Sequence, residues 1–280
     1  MVPVEWTLRW PGKQQAAVLS KSCPLRQVGG VRGKGVPGSS FPLSTFRECG
    51  CSTKKLRGDA MHPLEEVGGL ATRAVDVSVI VTNFNYGKFI RRCLRSLLNQ
   101  DLALHRYEII VVDDGSTDES LLALETFRQN REIHLIVNRN NMGVGAASLV
   151  GVSYSRGKYL VRVDADDYVQ PPFLYMLYSF LKFNPSFVGV SCDYFVTDDE
   201  ERIVSVQSFQ QHGIACGLML RTSYVERIGS YHPEKKIFEE KDLWERIDHS
   251  RIYHLPVPLY NYVKHAASLT AASAAQSIAS

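Results

Sequence analysis

From residue 76 onward the chain alternates between two hydrophobic periods. Val77-Ser78-Val79-Ile80-Val81-Thr82 is a nearly continuous apolar run, the pattern of a strand buried on both faces. Phe89, Ile90, Cys93, Leu94, Leu97 and Leu98 then recur at helical spacing, with Arg91, Arg92 and Arg95 opposite them. The exchange repeats, predicting strands over 108–112, 133–137 and 159–163 and helices over 121–127 and 143–155. Four such alternations predict a Rossmann-like α/β fold, a mainly parallel sheet with helices on both faces. The second half is less regular. It predicts helices over 173–183, 222–228 and 239–247, and strands over 187–192, 203–206, 214–220 and 252–255, a mixed half joined to the first.

Residues 1–75 show no sustained period. Gly, Pro, Ser, Lys and Arg dominate, and such a segment buries too little apolar area to offset its ordering entropy. The expected organisation is a disordered extension over 1–75, a folded domain over 76–270 and a flexible tail over 271–280. Translation starting at Met61 is an alternative account of the first 60 residues. Charge divides along the same line. Residues 1–75 hold 11 Lys and Arg against 5 Asp and Glu, whereas 76–280 hold 21 against 24. The folded part is thus mildly acidic and has no basic stripe, which excludes a nucleic-acid surface. Cys93, Cys192 and Cys216 sit in apolar segments and read as core thiols, so a reducing, cytoplasmic location is expected. Cys49-Gly50-Cys51 reads as plain thiols, because only His62 is near enough in sequence to join a zinc site. No apolar run reaches membrane-spanning length, and the N-terminus lacks a signal-peptide core.

Three acidic clusters punctuate the folded part where a strand or loop should give way to a helix. They are Asp113-Asp114-Gly115-Ser116-Thr117-Asp118, Asp164-Ala165-Asp166-Asp167 and Glu239-Glu240-Lys241-Asp242. In open α/β sheets, ligands bind beyond the carboxyl ends of the strands, and the loops after strands one, two and four meet there. At that place Asp114 can accept from a base N–H, Asp164 from a ribose hydroxyl, and Asp166 can bind a hard cation, Mn²⁺ or Mg²⁺. The same residues also serve structure. Asp113 to Asp118 is a good turn and helix cap, and Glu239 and Glu240 suit a helix N-terminus.

The order and spacing of these motifs resemble glycosyltransferase family 2, the inverting nucleotide-sugar transferases of the GT-A fold. The matching text is VSVIVTNFNYGKFIRRCLRSLLNQ, YEIIVVDDGSTDES, NMGVGAA, GKYLVRVDADDYV, CGLMLR, EEKDLW and PLYNYVKHAASLT. The resemblance implies that Thr82, Phe84, Asn85, Asp114, Gly143 and Asp164 bind the nucleotide sugar, with Asp113 supporting the turn. It implies Asp166 as metal ligand, joined by Asp164 and His265, with Asp167 behind them. Glu240 takes the catalytic-base position, with Glu239 and Asp242 as competitors, and Cys216, Gly217 and Trp244 lie on the acceptor side. The implied activity is metal-dependent transfer from a nucleotide sugar, a UDP-sugar first, to a sugar, lipid-linked or other hydroxyl acceptor. The implied setting is cell-surface polysaccharide or glycan synthesis at the inner face of the membrane.

Two positions depart from the family pattern. Ala147-Ser148-Leu149 stands where many members carry Ala-Arg-Asn, so either another group, such as Arg139 or Lys264, offsets the diphosphate charge or the donor is bound more weakly. The base position is glutamate rather than aspartate. A catalytically degenerate nucleotide-sugar-binding protein of the same fold is therefore the alternative. Other classes fit less well. The Asp-Ala-Asp run lies mid-chain, too late for a haloacid-dehalogenase phosphatase, and Gly143-Val144-Gly145 lacks the third glycine of a dinucleotide fingerprint.

Overall fold

A computed structural model describes residues 47–49, 75–214, 216–234, 239–265 and 268; for 47–49, Glu239 and Glu240 the description covers the main chain. All of these lie in the compact unit Leu43–Ser280. Strands β1 (Arg47–Cys49), β2 (Val77–Asn83), β3 (Tyr107–Asp113), β4 (Ile133–Asn138) and β5 (Tyr159–Asp164) form the parallel part of one sheet. Its order is β1-β4-β3-β2-β5. The chain builds outward from β2 through β3 to β4, then returns to place β5 on the other side of β2. That reversal makes a switch point between β2 and β5, where their carboxyl ends leave a crevice.

The helices follow from the same reversal. Helices α1 (Ile90–Leu98) and α2 (Ser120–Glu125) precede it and α3 (Val144–Tyr154) makes it. Right-handed crossovers therefore put α3 on the opposite face. The core records this as an alternation. Val77, Val79, Val81, Ile109 and Val111 face α1 and α2 in one cluster, while Ile110, Val112 and Ile136 face Ala147 and Val150 of α3 in another. The small residues of α3 let it sit close to β2. A Cβ on Gly151 would fall inside the van der Waals shell of Ile80 Cγ2. Gly151→Ala is thus expected to lose about 1 kcal/mol, because overpacking outweighs the gain in helix propensity. A urea midpoint at or above wild type would show that α3 can retreat.

The mixed half adds β6 (Tyr168–Val169), α4 (Phe173–Phe183), β7 (Gly189–Thr197), β8 (Ile203–Gln207), β9 (Leu218–Arg221), α5 (Thr222–Arg227), α6 (Glu239–Arg246) and β10 (Ile252–Val263). The sheet continues β5-β9-β7-β10-β6, with β8 paired to β7 alone. Here β9 runs antiparallel to β5 and β7, and β10 runs parallel to β7.

Several expected boundaries move. The strand foreseen over 252–255 extends to Val263, because Pro256 and Pro258 are absorbed by register shifts between Leu255 and Tyr260 rather than ending the pairing. The strand foreseen from 214 begins at Leu218, and the one foreseen over 187–192 runs from Gly189 to Thr197. Within the extension foreseen as disordered, Arg47–Cys49 pairs in parallel with β4. That pairing uses main-chain groups on an open strand edge, so it needs no apolar period. The rest of that extension, and the tail over 271–280, lie outside the described residues.

Candidate functional site

The crevice is built by three loops. The first two are sewn together. Asn83, buried at the end of β2, donates from Nδ2 to Asp113 Oδ2 at 2.7 Å. Asp113 also accepts from the Ser116 amide at 2.9 Å and from its hydroxyl at 2.7 Å. Asn85 adopts a left-handed φ of 59°. Its amide donates to Ser116 Oγ at 2.9 Å, while its Oδ1 accepts from the Thr117 amide at 2.8 Å. Asp118 accepts from the Gly87 amide at 2.8 Å. Asp113 and Asn85 therefore tie the two loops together, and Phe84, next to Asn85 in the chain, is part-exposed.

Asp114 points to the opposite face from Asp113, as strand alternation requires. Its Oδ1 accepts from Asn138 Nδ2 at 2.8 Å, and its Oδ2 accepts from the amides of Met142 and Gly143 at 3.0 and 2.7 Å. Gly143 has φ +93°, which a side chain would strain. A carboxylate offers about four lone-pair sites, and three of those on Asp114 are filled by these described groups. Thr82 lies on the same face as Asp114 and is the register partner of Asp164 across the switch point.

In the third loop each aspartate has a different environment. Asp164 keeps 30% of its side chain exposed and sits 3.2 Å from the buried Arg162 guanidinium. Asp167 is buried, accepting from the Tyr260 hydroxyl at 2.7 Å and from the Val263 amide at 2.8 Å. Burial drives its carboxyl well above the ordinary value, and the neighbouring Asp166 and Asp164 add to this. Asp166 Oδ2 lies 2.9 Å from His265 Nε2. Burial raises the Asp166 carboxyl too, with the bond to His265 opposing. The His265 ring is tilted at 35° against Phe89, with centroids 4.4 Å apart, and edge-on at 5.7 Å to Tyr86. Its Nδ1 is buried and without a hydrogen-bond partner among the described residues.

Comparison with known proteins adds the lineage. The family model described as glycosyl transferase family 2 matches residues 78–255, well over half of the chain. The chain belongs to glycosyl transferase family 2. It is 37% identical over 112 residues to the poly(ribitol-phosphate) beta-glucosyltransferase of Bacillus spizizenii, which is 39% of this chain and 18% of that protein. The chain thus spans under a fifth of that relative's length. The fold is GT-A, shared with S. aureus TarS 1–349 in complex with UDP-GlcNAc at a TM-score of 0.57 and 23% identity, covering 68% of this chain and 59% of that one. A mannosyltransferase from Pyrobaculum calidifontis, in complex with GDP-Man and Mn²⁺, gives a TM-score of 0.54 at 18% identity, covering 75% of this chain and 66% of that one.

Among family 2 residues expected on the acceptor side, Cys216 is buried beside Asp164, and burial raises its thiol well above the ordinary value. Gly217 has φ +78°, and its carbonyl accepts from the Cys192 amide at 3.0 Å. Trp244 is part-exposed on α6, edge-on to Phe209 at 5.6 Å and against His249 at 4.3 Å. Asp242 is committed elsewhere. It pairs with Arg246 at 2.7 Å and His232 at 3.2 Å, and Arg246 holds its carboxyl below the usual range. The side chains of Glu239 and Glu240 lie outside the described residues; their main chain forms the first turn of α6.

Asn138, Arg162 and Tyr260 serve this site without having been singled out in the sequence. Arg162 had a signal, being a lone charge inside an apolar strand. Asn138 and Tyr260 had none, because their partners are remote in sequence.

No group of three His, Cys, Asp or Glu residues is gathered into a metal cage among the described residues. The Asp166–His265 pair nevertheless fits a hard cation. Two ligand atoms bound at right angles with bonds of about 2.1 Å stand about 3.0 Å apart; the 2.9 Å observed is that of a hydrogen bond, whose shared proton a cation would have to displace. A cation held mainly by substrate phosphates needs only one or two such protein ligands.

Proposed function

We propose that this chain is an inverting glycosyltransferase that moves a sugar from a nucleoside diphosphate sugar to a hydroxyl acceptor. The observation that carries this reading is the convergence of Thr82, Asp114, Asp164 and the Asp166–His265 pair on the switch point between β2 and β5. Phe84 and Asp114 bind the base and Asp164 the ribose. Asp166, His265 and Asp164 would hold Mn²⁺ or Mg²⁺, which when bound neutralises charge developing on the departing diphosphate. Glu240 takes the acceptor hydroxyl proton as that oxygen attacks the anomeric carbon. Asp242 is the weaker candidate for base, because Arg246 and His232 already occupy its carboxylate. The Ser148 hydroxyl is buried inside α3, so it does not substitute for the family arginine.

The reading of a UDP-sugar donor and of cell-surface polysaccharide synthesis draws on the B. spizizenii poly(ribitol-phosphate) beta-glucosyltransferase and on the UDP-GlcNAc complex of TarS. Three free thiols among the described residues support a reducing, cytoplasmic setting. No helix among the described residues is long and apolar enough to cross a membrane.

The test is release of nucleoside diphosphate from UDP-glucose, UDP-GlcNAc and GDP-mannose, with Mn²⁺ and with EDTA. Release that requires the metal, and a product of inverted anomeric configuration by NMR, is the expected result. Nucleotide-induced thermal stabilisation without turnover would support the degenerate binding protein instead. Neither stabilisation nor turnover would remove both readings.

A further inference from the structure

Helix α1 grips the acidic loop at three points. Cys93 Sγ donates to the Asp164 carbonyl at 3.6 Å, and Arg92 Nη2 donates to the Asp166 carbonyl at 2.7 Å. Phe89 packs tilted against His265 at 4.4 Å. These three residues stand at i, i+3 and i+4 and so share one face of the helix start, which places Arg92 beside Phe89 and Cys93 rather than opposite them as the hydrophobic spacing predicts. Arg92 is the hub. Its guanidinium lies over the Tyr168 ring at 4.8 Å and near the Phe89 ring at 5.6 Å. It therefore touches the main chain of one metal-ligand candidate and the ring that backs the other. Its remaining contact, to Glu201 at 3.4 Å, is to a side chain that is 54% exposed, and such rim pairs contribute little.

We infer that Arg92 is a positioning residue that holds Asp166 and His265 at cation-binding separation, a role that rests on the reading of that pair as the metal site. Asp166 is fixed by its carbonyl, so its carboxylate leaves the backbone from a set point. His265 is backed by Phe89, whose ring also meets the Arg92 guanidinium at 5.6 Å, Lys88 Nζ at 5.1 Å and the Tyr86 ring at 6.1 Å. Arginine suits both tasks, because a planar guanidinium can donate in its plane while its face covers a ring. Lysine keeps the charge and can reach the carbonyl, but it cannot do both.

The experiment measures Mn²⁺ binding to the full chain by electron paramagnetic resonance, in the presence of UDP, for wild type, Arg92→Lys, Arg92→Ala and Glu201→Gln. UDP affinity in EDTA is measured alongside by calorimetry. Residues that orient metal ligands typically change metal affinity by about 10–100-fold, so Arg92→Ala is expected to weaken Mn²⁺ by that range and Arg92→Lys by less. Glu201→Gln should match wild type, and UDP affinity in EDTA should be unchanged throughout. If wild type binds Mn²⁺ and both Arg92 variants bind it equally well, the clamp is overturned while the metal site stands. If the Arg92 variants lose UDP affinity in EDTA as well, Arg92 only supports the fold and the inference also fails. If wild type binds no Mn²⁺, the metal site fails and the clamp fails with it.

Discussion

Glu240→Gln is expected to lower sugar transfer by about 10²–10⁴-fold, the usual contribution of a positioned base, while leaving donor affinity unchanged. Glutamine keeps the length and one hydrogen-bonding oxygen but cannot take the acceptor proton. Donor affinity should hold because the proposed nucleotide site is formed by the loops after β2, β3 and β5, not by α6. Glu240 belongs to the first turn of α6, four residues before the part-exposed Trp244 and so on the same helical face. The geometry of Asp242 sharpens the choice. Its carboxylate is held by Arg246 and His232, and its lowered proton affinity makes it a poor base. Asp242→Asn should therefore damage the packing of α6 more than the pH-independent rate. Steady-state kinetics on Glu239→Gln, Glu240→Gln and Asp242→Asn decide the matter. Normal transfer by the Glu240 variant with loss in either of the others would move the base by one or two positions. Full activity in all three would leave α6 with no proton-transfer role.

What could be read from the sequence divides along physical lines. Most of the parallel half was legible because β2, β3 and β5 are buried apolar runs and α1 switches to helical spacing; β4 is buried at two of its six positions, and β1 was missed because its segment has no apolar period. Val77–Asn83 and Tyr107–Asp113 are buried at every position, so their text leaves little choice. The mixed half was less legible because its strands are short or part-exposed. Ile203–Gln207 is mostly exposed, and the 12-residue β10 carries two prolines that usually mark a strand's end. Its continuation rests on bulged pairing with β7, a tertiary fact.

The acidic residues of the site were likewise legible as a pattern but not as separate roles. Adjacent positions on one strand end must face opposite ways, so Asp113 and Asp114 were bound to differ. Which of them ties the first two loops together and which meets the loop after β4 depends on Asn83, Ser116 and Asn138. The third loop shows the same dependence at longer range. Asp167 meets Tyr260 across 93 residues and Asp166 meets His265 across 99. The motif Asp-Ala-Asp-Asp alone does not say which carboxylate is buried for structure and which faces a cation.

That division makes Asp166→Asn the most informative change at the metal-ligand pair. A bound cation contributes several kcal/mol to neutralising a departing oxyanion, and each 1.36 kcal/mol is tenfold in rate, so metal-dependent transfer should fall by about 10³-fold or more. The fold should persist. Asparagine matches the size of aspartate, and its Oδ1 can still accept from His265 Nε2–H in the corresponding tautomer. Asp166 is also a buried carboxyl whose charged form burial disfavours, so removing that charge costs the unbound protein little. Circular dichroism and UDP binding in EDTA should therefore match wild type, while Mn²⁺ titrations of transfer fail to restore the rate. Wild-type transfer by Asp166→Asn would exclude that carboxylate as a required ligand. Full wild-type activity in excess chelator would exclude a divalent cation from the reaction, and Arg162, two residues before Asp164 on the same strand face, would become the first cation to test for the departing diphosphate.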